Sequence, residues 1–315
     1  MQRTKKQLLL ILLVLTICFN IFTVGCRTDN YGKHGILEIV VFNVGRADAI
    51  LITTKNHTVM IDTGDRRHVS KIVNYLFDRD LLTIDYLIIT HFDGGHVGGA
   101  AEIINSVDVK NIVVPNYLRA SGNYRRFVNA MYDNALVPFV LERYDLLEFI
   151  LDGVEFITYP SDLDFFEYIV EQGSDEDDNE YNIDGDGDAD ETTGAEVNVN
   201  NYSLITSIKH GNNDFLFTGD SKARRIREIL AIEKIAETDF DFLKVPHHGE
   251  YNRRSAELIN TISPRYAVIT DSFDRSADEM VLAILNDVEA EIFSTQKGNL
   301  YFTSNGDNIF VLIEE

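Results

Sequence analysis

Three side chains able to bind a metal ion, His91, Asp93 and His96, fall within six residues in Leu87-Ile-Ile-Thr-His-Phe-Asp-Gly-Gly-His-Val-Gly-Gly-Ala100. Imidazole and carboxylate donors together suit a borderline divalent cation. Zinc fits best, and manganese and iron fit the same set. The glycines let the backbone fold close around an ion. A polar turn that happens to carry two histidines is the competing reading of this stretch taken alone.

The elements around it must hold these groups in place. Residues 87–90 are an apolar run that predicts a buried strand, and residues 97–104 have the spacing of an amphipathic helix. Before them, 36–42, 49–53 and 58–61 read as strands, with Lys55-Asn-His57 as a hairpin tip, and 69–77 reads as a helix. After them, 112–114, 137–141, 146–150 and 154–159 read as strands, with a helix near 124–134. Beyond residue 201 the spacing predicts strands over 202–208, 214–217, 241–245, 266–270, 291–293, 299–303 and 309–312. Helices are predicted over 221–233, with Ser221 as cap, and over 278–285. Strands followed by alternating strand and helix predict a mixed α/β sandwich.

A chain of 315 residues with 45% hydrophobic content supports a real core. The formal charge is −23, from 28 basic and 51 acidic residues. Such a surface repels nucleic acid and anionic lipid at long range, so no stable nucleic-acid complex is expected. A bound dication would still admit an anionic substrate, because it inverts the local field. The two cysteines, Cys18 and Cys26, both lie at the amino end, so a metal site further on must be built from His, Asp, Glu and water. Residues 1–25 have a basic head, Arg3, Lys5 and Lys6, then an apolar run, and read as a secretory signal. Thr23-Val-Gly-Cys26 is similar to a bacterial lipoprotein cleavage box, with threonine where leucine is usual. It implies lipidation of Cys26, a linker over 26–35, and a domain over 36–315 held by its lipid anchor at the outer face of the cell membrane. An uncleaved anchor is the alternative; both readings place the domain outside the cytoplasm.

Residues 171–201 form an acidic insert within that domain, almost without apolar side chains. The plain reading is a solvated loop. The sharper one is a calcium loop, because Asn182, Asp184, Asp186 and Asp188 fall at the first, third, fifth and seventh places of the DxDxDG pattern, with Gly187 at the sixth. Its twelfth place holds Thr193 instead of glutamate.

Phe42-Asn-Val-Gly-Arg-Ala-Asp-Ala-Ile-Leu51, Ile61-Asp-Thr-Gly64 and Thr90-His-Phe-Asp-Gly-Gly-His-Val-Gly-Gly99 resemble the first three signatures of the metallo-β-lactamase fold. Within it they resemble the subgroup of phosphorylcholine esterases and of the carboxyl end of the competence protein ComEC, which reads VGQGDA, IDTG and THxDxDHxGG. The resemblance covers nearly everything after Gly35 and implies a four-layer αββα sandwich. It implies that Asp62 and Asp48 brace the metal loop, that His91 and Asp93 hold one ion, and that His96 holds another. Phe217-Thr-Gly-Asp220 matches the carboxylate that bridges the two ions and takes part in catalysis. Leu243-Lys-Val-Pro-His-His-Gly249 matches the last ligand motif. It supplies one ligand and one group for proton transfer; we take His247 as ligand and His248 as catalytic. Gly95 stands where the pattern has a ligand aspartate, so one or two ions are expected. The third-motif histidine is missing near Asn200, Asn201 and Ser203, and the later His-Pro pair is missing at 271–276. The remaining histidines, His34, His57, His68 and His210, read as surface or loop residues. The function implied is an extracytoplasmic metal-dependent hydrolase, of phosphodiesterase type, acting on a nucleic acid or a wall-associated polymer. A catalytically degenerate binding protein of the same fold is the alternative.

Overall fold

A computed structural model describes residues 34–163, 166–168 and 198–314. The amino-terminal segment with Cys26, and the calcium-loop residues Asn182, Asp184, Asp186 and Asp188, lie outside the described residues. The first part of the chain contributes strands β1 (Leu37–Val41), β2 (Ala49–Thr53), β3 (Thr58–Thr63), β4 (Thr83–Ile88), β5 (Asp108–Pro115), β6 (Tyr117–Arg119), β7 (Phe139–Leu141), β8 (Leu147–Leu151), β9 (Val154–Tyr159) and β10 (Phe166–Tyr168). The second part contributes β11 (Ile205–His210), β12 (Asn213–Phe217), β13 (Phe242–Lys244), β14 (Tyr266–Ile269), β15 (Glu291–Ser294), β16 (Leu300–Ser304) and β17 (Ile309–Ile313). Helices are α1 (Val69–Asp78), α2 (Gly94–Val97), α3 (Ala100–Ser106), α4 (Gly122–Asp133), α5 (Ala223–Leu230), α6 (Glu233–Ala236), α7 (Ser255–Ile262) and α8 (Glu279–Asp287).

The strands form two mixed sheets. One has the order β17-β16-β1-β2-β3-β4-β5-β7 and the other β15-β14-β13-β12-β11-β9-β8. β6 and β10 pair in parallel beside them. The carboxyl-terminal hairpin β16–β17 joins the first sheet antiparallel to β1, so the two halves of the chain are interlocked.

The apolar residues sort into three clusters, and these fix the layers. Val40, Leu51, Met60 and Leu87 on one face of the first sheet pack on Ile72, Leu76, Ile103 and Phe127 of α1, α3 and α4. Ile39, Ile52, Val59 and Ile61 on its other face pack against Phe156, Phe215, Phe217 and Phe242 of the second sheet. Leu216, Leu243 and Ala267 on the far face of the second sheet pack on Ile226, Leu258 and Val281 of α5, α7 and α8. Helix, sheet, sheet and helix follow in turn, the four-layer αββα arrangement. β2 and β3 are buried almost throughout because both faces of the sheet are covered.

The structure differs from the sequence expectations at several element ends. The helix expected over 97–104 is split, because Gly98 and Gly99 pass against the segment after β3. A methyl group on Gly99 would stand 2.5 Å from Thr63 O. The helix expected over 221–233 is α5 followed by α6, and Lys222 rather than Ser221 precedes its first turn. The Ser221 hydroxyl instead donates to Thr218 O at 2.6 Å. His210 is not a surface residue. It is fully buried on β11, with ring nitrogens 2.8 Å from Ser304 Oγ and 3.0 Å from His34 O. Residues 198–201 belong to the fold, since Asn201 Oδ1 accepts from the Arg225 N–H at the start of α5.

β3, β4 and β5 run parallel in one sheet, and β12, β13, β14 and β15 run parallel in the other. Ligand-bearing loops of open parallel sheets lie beyond the carboxyl ends of their strands. Asp62 stands at that end of β3. Thr90 and His91 follow β4, Asp220 follows β12, Pro246-His-His248 follows β13 and Thr270 follows β14.

Candidate metal centre

Asp220 Oδ2 is the hub of this edge. His96 Nε2 lies 3.1 Å from it, His248 Nε2 3.2 Å, His247 Nε2 3.8 Å and His91 Nε2 3.9 Å. Asp93 joins from the side, with Oδ2 3.6 Å from His91 Nε2. The four histidines and Asp220 are buried; Asp93 is partly exposed. Residues 91, 93, 96, 220, 247 and 248 are therefore gathered at one point from three separate loops.

What turns the imidazoles toward that point is the hydrogen bonding of their other nitrogens. The Thr90 N–H and hydroxyl donate to the two oxygens of Asp62 at 2.8 and 2.6 Å. Its hydroxyl proton being committed, Thr90 Oγ1 accepts from His91 Nδ1 at 3.0 Å. His96 Nδ1 donates to Asp62 Oδ2 directly, at 2.8 Å. The second half repeats the device. The Thr270 hydroxyl donates to Asp48 Oδ1 at 2.5 Å and accepts from His248 Nδ1 at 2.9 Å. In all three rings the Nδ1 hydrogen is held by a carboxylate, directly or through a threonine, and Nε2 is turned to Asp220. That is how metal-binding histidines are commonly oriented. His247 is braced less. Its Nδ1 faces only Glu250 Oε2, at 3.3 Å, on a partly exposed carboxylate shared with Arg46 and Lys222.

The backbone contributes too. His247 and His248 both have left-handed φ, +49° and +56°. Two adjacent non-glycine residues in that region are costly and mark a functional turn. The His247 N–H donates to Gly219 O at 3.1 Å and holds the turn against the Asp220 loop. Asp62 is also left-handed, at +56°, which tips its carboxylate back beneath the 90–96 loop.

Asp48 braces the metal loop and reaches the opposite half as well. Its carboxylate stands 3.9 Å from His96 Nδ1 and is bound to Thr270 Oγ1 and to Lys244 Nζ, the latter at 2.6 Å. Its N–H donates to Gly95 O at 3.1 Å and its carbonyl accepts from Gly64 N at 2.7 Å.

The electrostatics follow from this packing. Burial, helped by the neighbouring His96, pushes His91 down to about 3, so it is a neutral donor. Burial also works against protonation of His96, but the carboxylates of Asp220 and Asp62 outweigh it and hold that ring well above the usual histidine value. Burial would raise Asp220, yet His248, His96 and His247 together hold it well below the usual carboxylate range. In Asp48 burial is likewise overcome, by Lys244 first and then by His248.

These residues fit a divalent cation. His91 Nε2 and Asp220 Oδ1 are buried polar atoms without a hydrogen-bond partner. His91, His96 and Asp220 bring one donor atom each within 4.8 Å of one another. Buried polar groups left in this way ask for an explanation, and a bound ion supplies one.

Sequence reasoning missed Thr90, Thr270, Lys244, Arg119 and Glu250. Lys244 left a signal. Alternation in Phe242-Leu243-Lys244 puts the lysine on the same inward face as Phe242, and it is fully buried. Arg119 of β6 forms an ion pair with Asp93 Oδ1, and Glu250 gathers Arg46 at 2.7 Å and Lys222 at 2.6 Å beside His247. Neither carries a local pattern. Where the third-motif histidine is missing, Ser203 Oγ accepts from the Asp220 N–H at 3.3 Å. Where the His-Pro pair is missing, Asp271 is tied to Ser294 and Gln296.

The family described as "Metallo-beta-lactamase superfamily" matches residues 43–269. Among curated proteins, the chain is 20% identical over 273 residues to ComE operon protein 3 of Bacillus subtilis, covering 81% of this chain and 30% of that one. It is 24% identical over 241 residues to Recombination protein 2 of Haemophilus influenzae, covering 74% of this chain and 24% of the relative. The chain thus spans less than a third of either relative. Among solved structures, the metallo-beta-lactamase fold protein YhfI from Bacillus subtilis matches with a TM-score of 0.52 and 10% identity, over 85% of this chain and 99% of that one. Tm1679, a metal-dependent hydrolase of the beta-lactamase superfamily, matches with a TM-score of 0.51 and 14% identity, over 84% and 98%. At such identities the likeness is one of fold.

Proposed function

The chain belongs to the metallo-β-lactamase superfamily, a fold that typically serves metal-dependent hydrolysis, and from that premise we propose that it is a metal-dependent phosphodiesterase acting outside the cytoplasm. The observation that carries the reading is the convergence of four imidazole Nε2 atoms within 3.9 Å of one carboxylate oxygen, Asp220 Oδ2. A divalent ion, when bound, supplies Lewis acidity at the scissile group and makes water a better nucleophile near neutral pH.

The chain's own residues have separable roles in this reading. His91, His96, His248 and Asp220 hold the ion, with Asp93 at its flank. We assign His248 as the ligand and His247 as the proton carrier, the reverse of the sequence expectation. The Nδ1 of His248 is fixed through Thr270 to the buried Asp48, which suits a ligand, whereas His247 Nδ1 faces the partly exposed Glu250 at 3.3 Å, which suits exchange of a proton. His247 therefore moves the proton to the departing alkoxide. Arg46 and Lys222, partly exposed on Glu250 beside His247, place two cations against one carboxylate where an anionic diester would approach.

The resemblance of residues 42–51, 61–64 and 90–99 to the signatures of the phosphorylcholine esterase and ComEC subgroup supports a substrate built on phosphodiester bonds. The basic head, apolar run and Cys26 support a location at the outer face of the membrane. The net charge of −23 favours a short or wall-associated polymer over long DNA.

The test is turnover of bis(4-nitrophenyl) phosphate by the purified protein, stripped with a chelator and reloaded with zinc or manganese. Hydrolysis that returns with the ion and is abolished by Asp220→Ala supports the assignment. A protein that takes up the ion but hydrolyses no diester is a binding protein on the same fold.

A further inference from the structure

Among the described residues, four carboxylates face this centre: Asp48, Asp62, Asp93 and Asp220. Two fixed cations face it as well. Lys244 Nζ is 2.6 Å from Asp48 Oδ2, 3.6 Å from Asp220 Oδ1 and 3.2 Å from Gly219 O, and the side chain is fully buried. Arg119 Nη1 is ion-paired with Asp93 Oδ1. Four negative and two positive charges leave two negative charges, which is the charge of one divalent ion. A second such ion would leave an equal positive excess in a largely buried place, where uncompensated charge is strongly unfavourable. At the partly exposed rim, Glu250 carries both Arg46 and Lys222, so that group adds one positive charge rather than a further carboxylate to be neutralised and weighs in the same direction against a second ion.

The geometry gives the same count. All four Nε2 atoms face one oxygen of Asp220, Oδ2. Its other oxygen is turned to the Lys244 ammonium and hydrogen-bonds to nothing. Of the two Asp93 oxygens, Oδ1 is taken by Arg119 and only Oδ2 faces His91. Gly95, at the place where the resembling signature has an aspartate, adds no donor. That is not for want of room: a Cβ there would meet Ala47 Cβ at 3.4 Å and Arg46 O at 3.5 Å, ordinary contacts.

Taking the hydrolase reading above as given, we propose that this centre is built for a single divalent cation, and that Lys244 and Arg119 supply from within the chain the positive charge a second ion would bring. The lost carboxylate at Gly95 and the cation on Asp93 then compensate one another, and the site is complete with one ion. Restoring a second ion requires both changes together.

The test is metal stoichiometry, by plasma mass spectrometry and native mass spectrometry, on the full chain equilibrated with zinc and desalted. The expected count is one ion per chain for the wild type, for Gly95→Asp and for Arg119→Gln, and two for the Gly95→Asp/Arg119→Gln double variant. Two firmly held ions in the wild type overturn the inference and leave the hydrolase reading standing. No ion at all overturns both. A double variant that keeps the wild-type circular dichroism spectrum but holds one ion also overturns it. If the double variant does not fold, the wild-type count alone decides.

Discussion

His96 lies between two carboxylates, Nδ1 2.8 Å from Asp62 and Nε2 3.1 Å from Asp220. In the metal-free protein this arrangement holds a proton that a metal ion must displace. Burial opposes that proton, but Asp220 and Asp62 raise the ring well above 6.5. A raised folded-state value stabilises fully below the unfolded value, and the contribution is lost as pH rises through the folded one. Chelated protein is therefore expected to lose melting temperature as pH rises above about 6.5, while zinc-loaded protein does not. In His96→Gln the slope disappears; a slope that persists there would assign it to another group. Thr270 acts one step further out. Thr270→Val removes both the acceptor for His248 Nδ1 and the donor to Asp48, and metal affinity is expected to fall about 10–100-fold. Competition against a chromophoric chelator measures it, and unchanged affinity would count against the tautomer assignment.

At the scale of elements, the parts legible in the sequence were those written locally. The strand, the glycine-rich turn and the histidine pair each fall within a few residues, so residue type and spacing placed His91, Asp93, His96, Asp220, His247 and His248 on strand ends. What joins them was not legible. Thr270 and Asp48 are 222 positions apart, and only the packing of two sheets brings them together. The bracing role of Asp48 is implied by the motif resemblance, but nothing local in sequence tells that its carboxylate also reaches Thr270 and Lys244 of the other half. The helix over 97–104 was drawn through Gly98 and Gly99 because apolar spacing does not register close backbone approach. At Gly99 an added methyl would stand 2.5 and 2.9 Å from Thr63 O and Val69 Cγ2. Gly99→Ala is expected to cost about 1–3 kcal/mol in chemical denaturation and to lower metal occupancy, since the same segment carries His96. Wild-type stability in that variant would mean the loop yields without strain.

The whole molecule combines a large negative net charge with two cations at its centre, Lys244 fully buried and Arg119 partly so. The three apolar layers let two half-sandwiches meet along one edge, and the donors of both halves face each other there. In our proposal an anionic substrate is drawn in by local groups, Arg46, Lys222 and the ion, rather than by a chain of net charge −23 as a whole. Among the described residues no helix is long and apolar enough to cross a membrane. Attachment in our proposal rests on Cys26, and Cys26→Ser is expected to move the protein from the membrane fraction to the soluble extracytoplasmic fraction. Retention of that variant in the membrane fraction would favour an uncleaved anchor. The most direct measurement for the centre itself is anomalous diffraction at the zinc edge from crystals of the zinc-loaded protein. The expected peak lies about 2.0–2.2 Å from Asp220 Oδ2 and from the Nε2 atoms of His91, His96 and His248. A zinc peak elsewhere, with those atoms left bonded only to one another, would contradict the account.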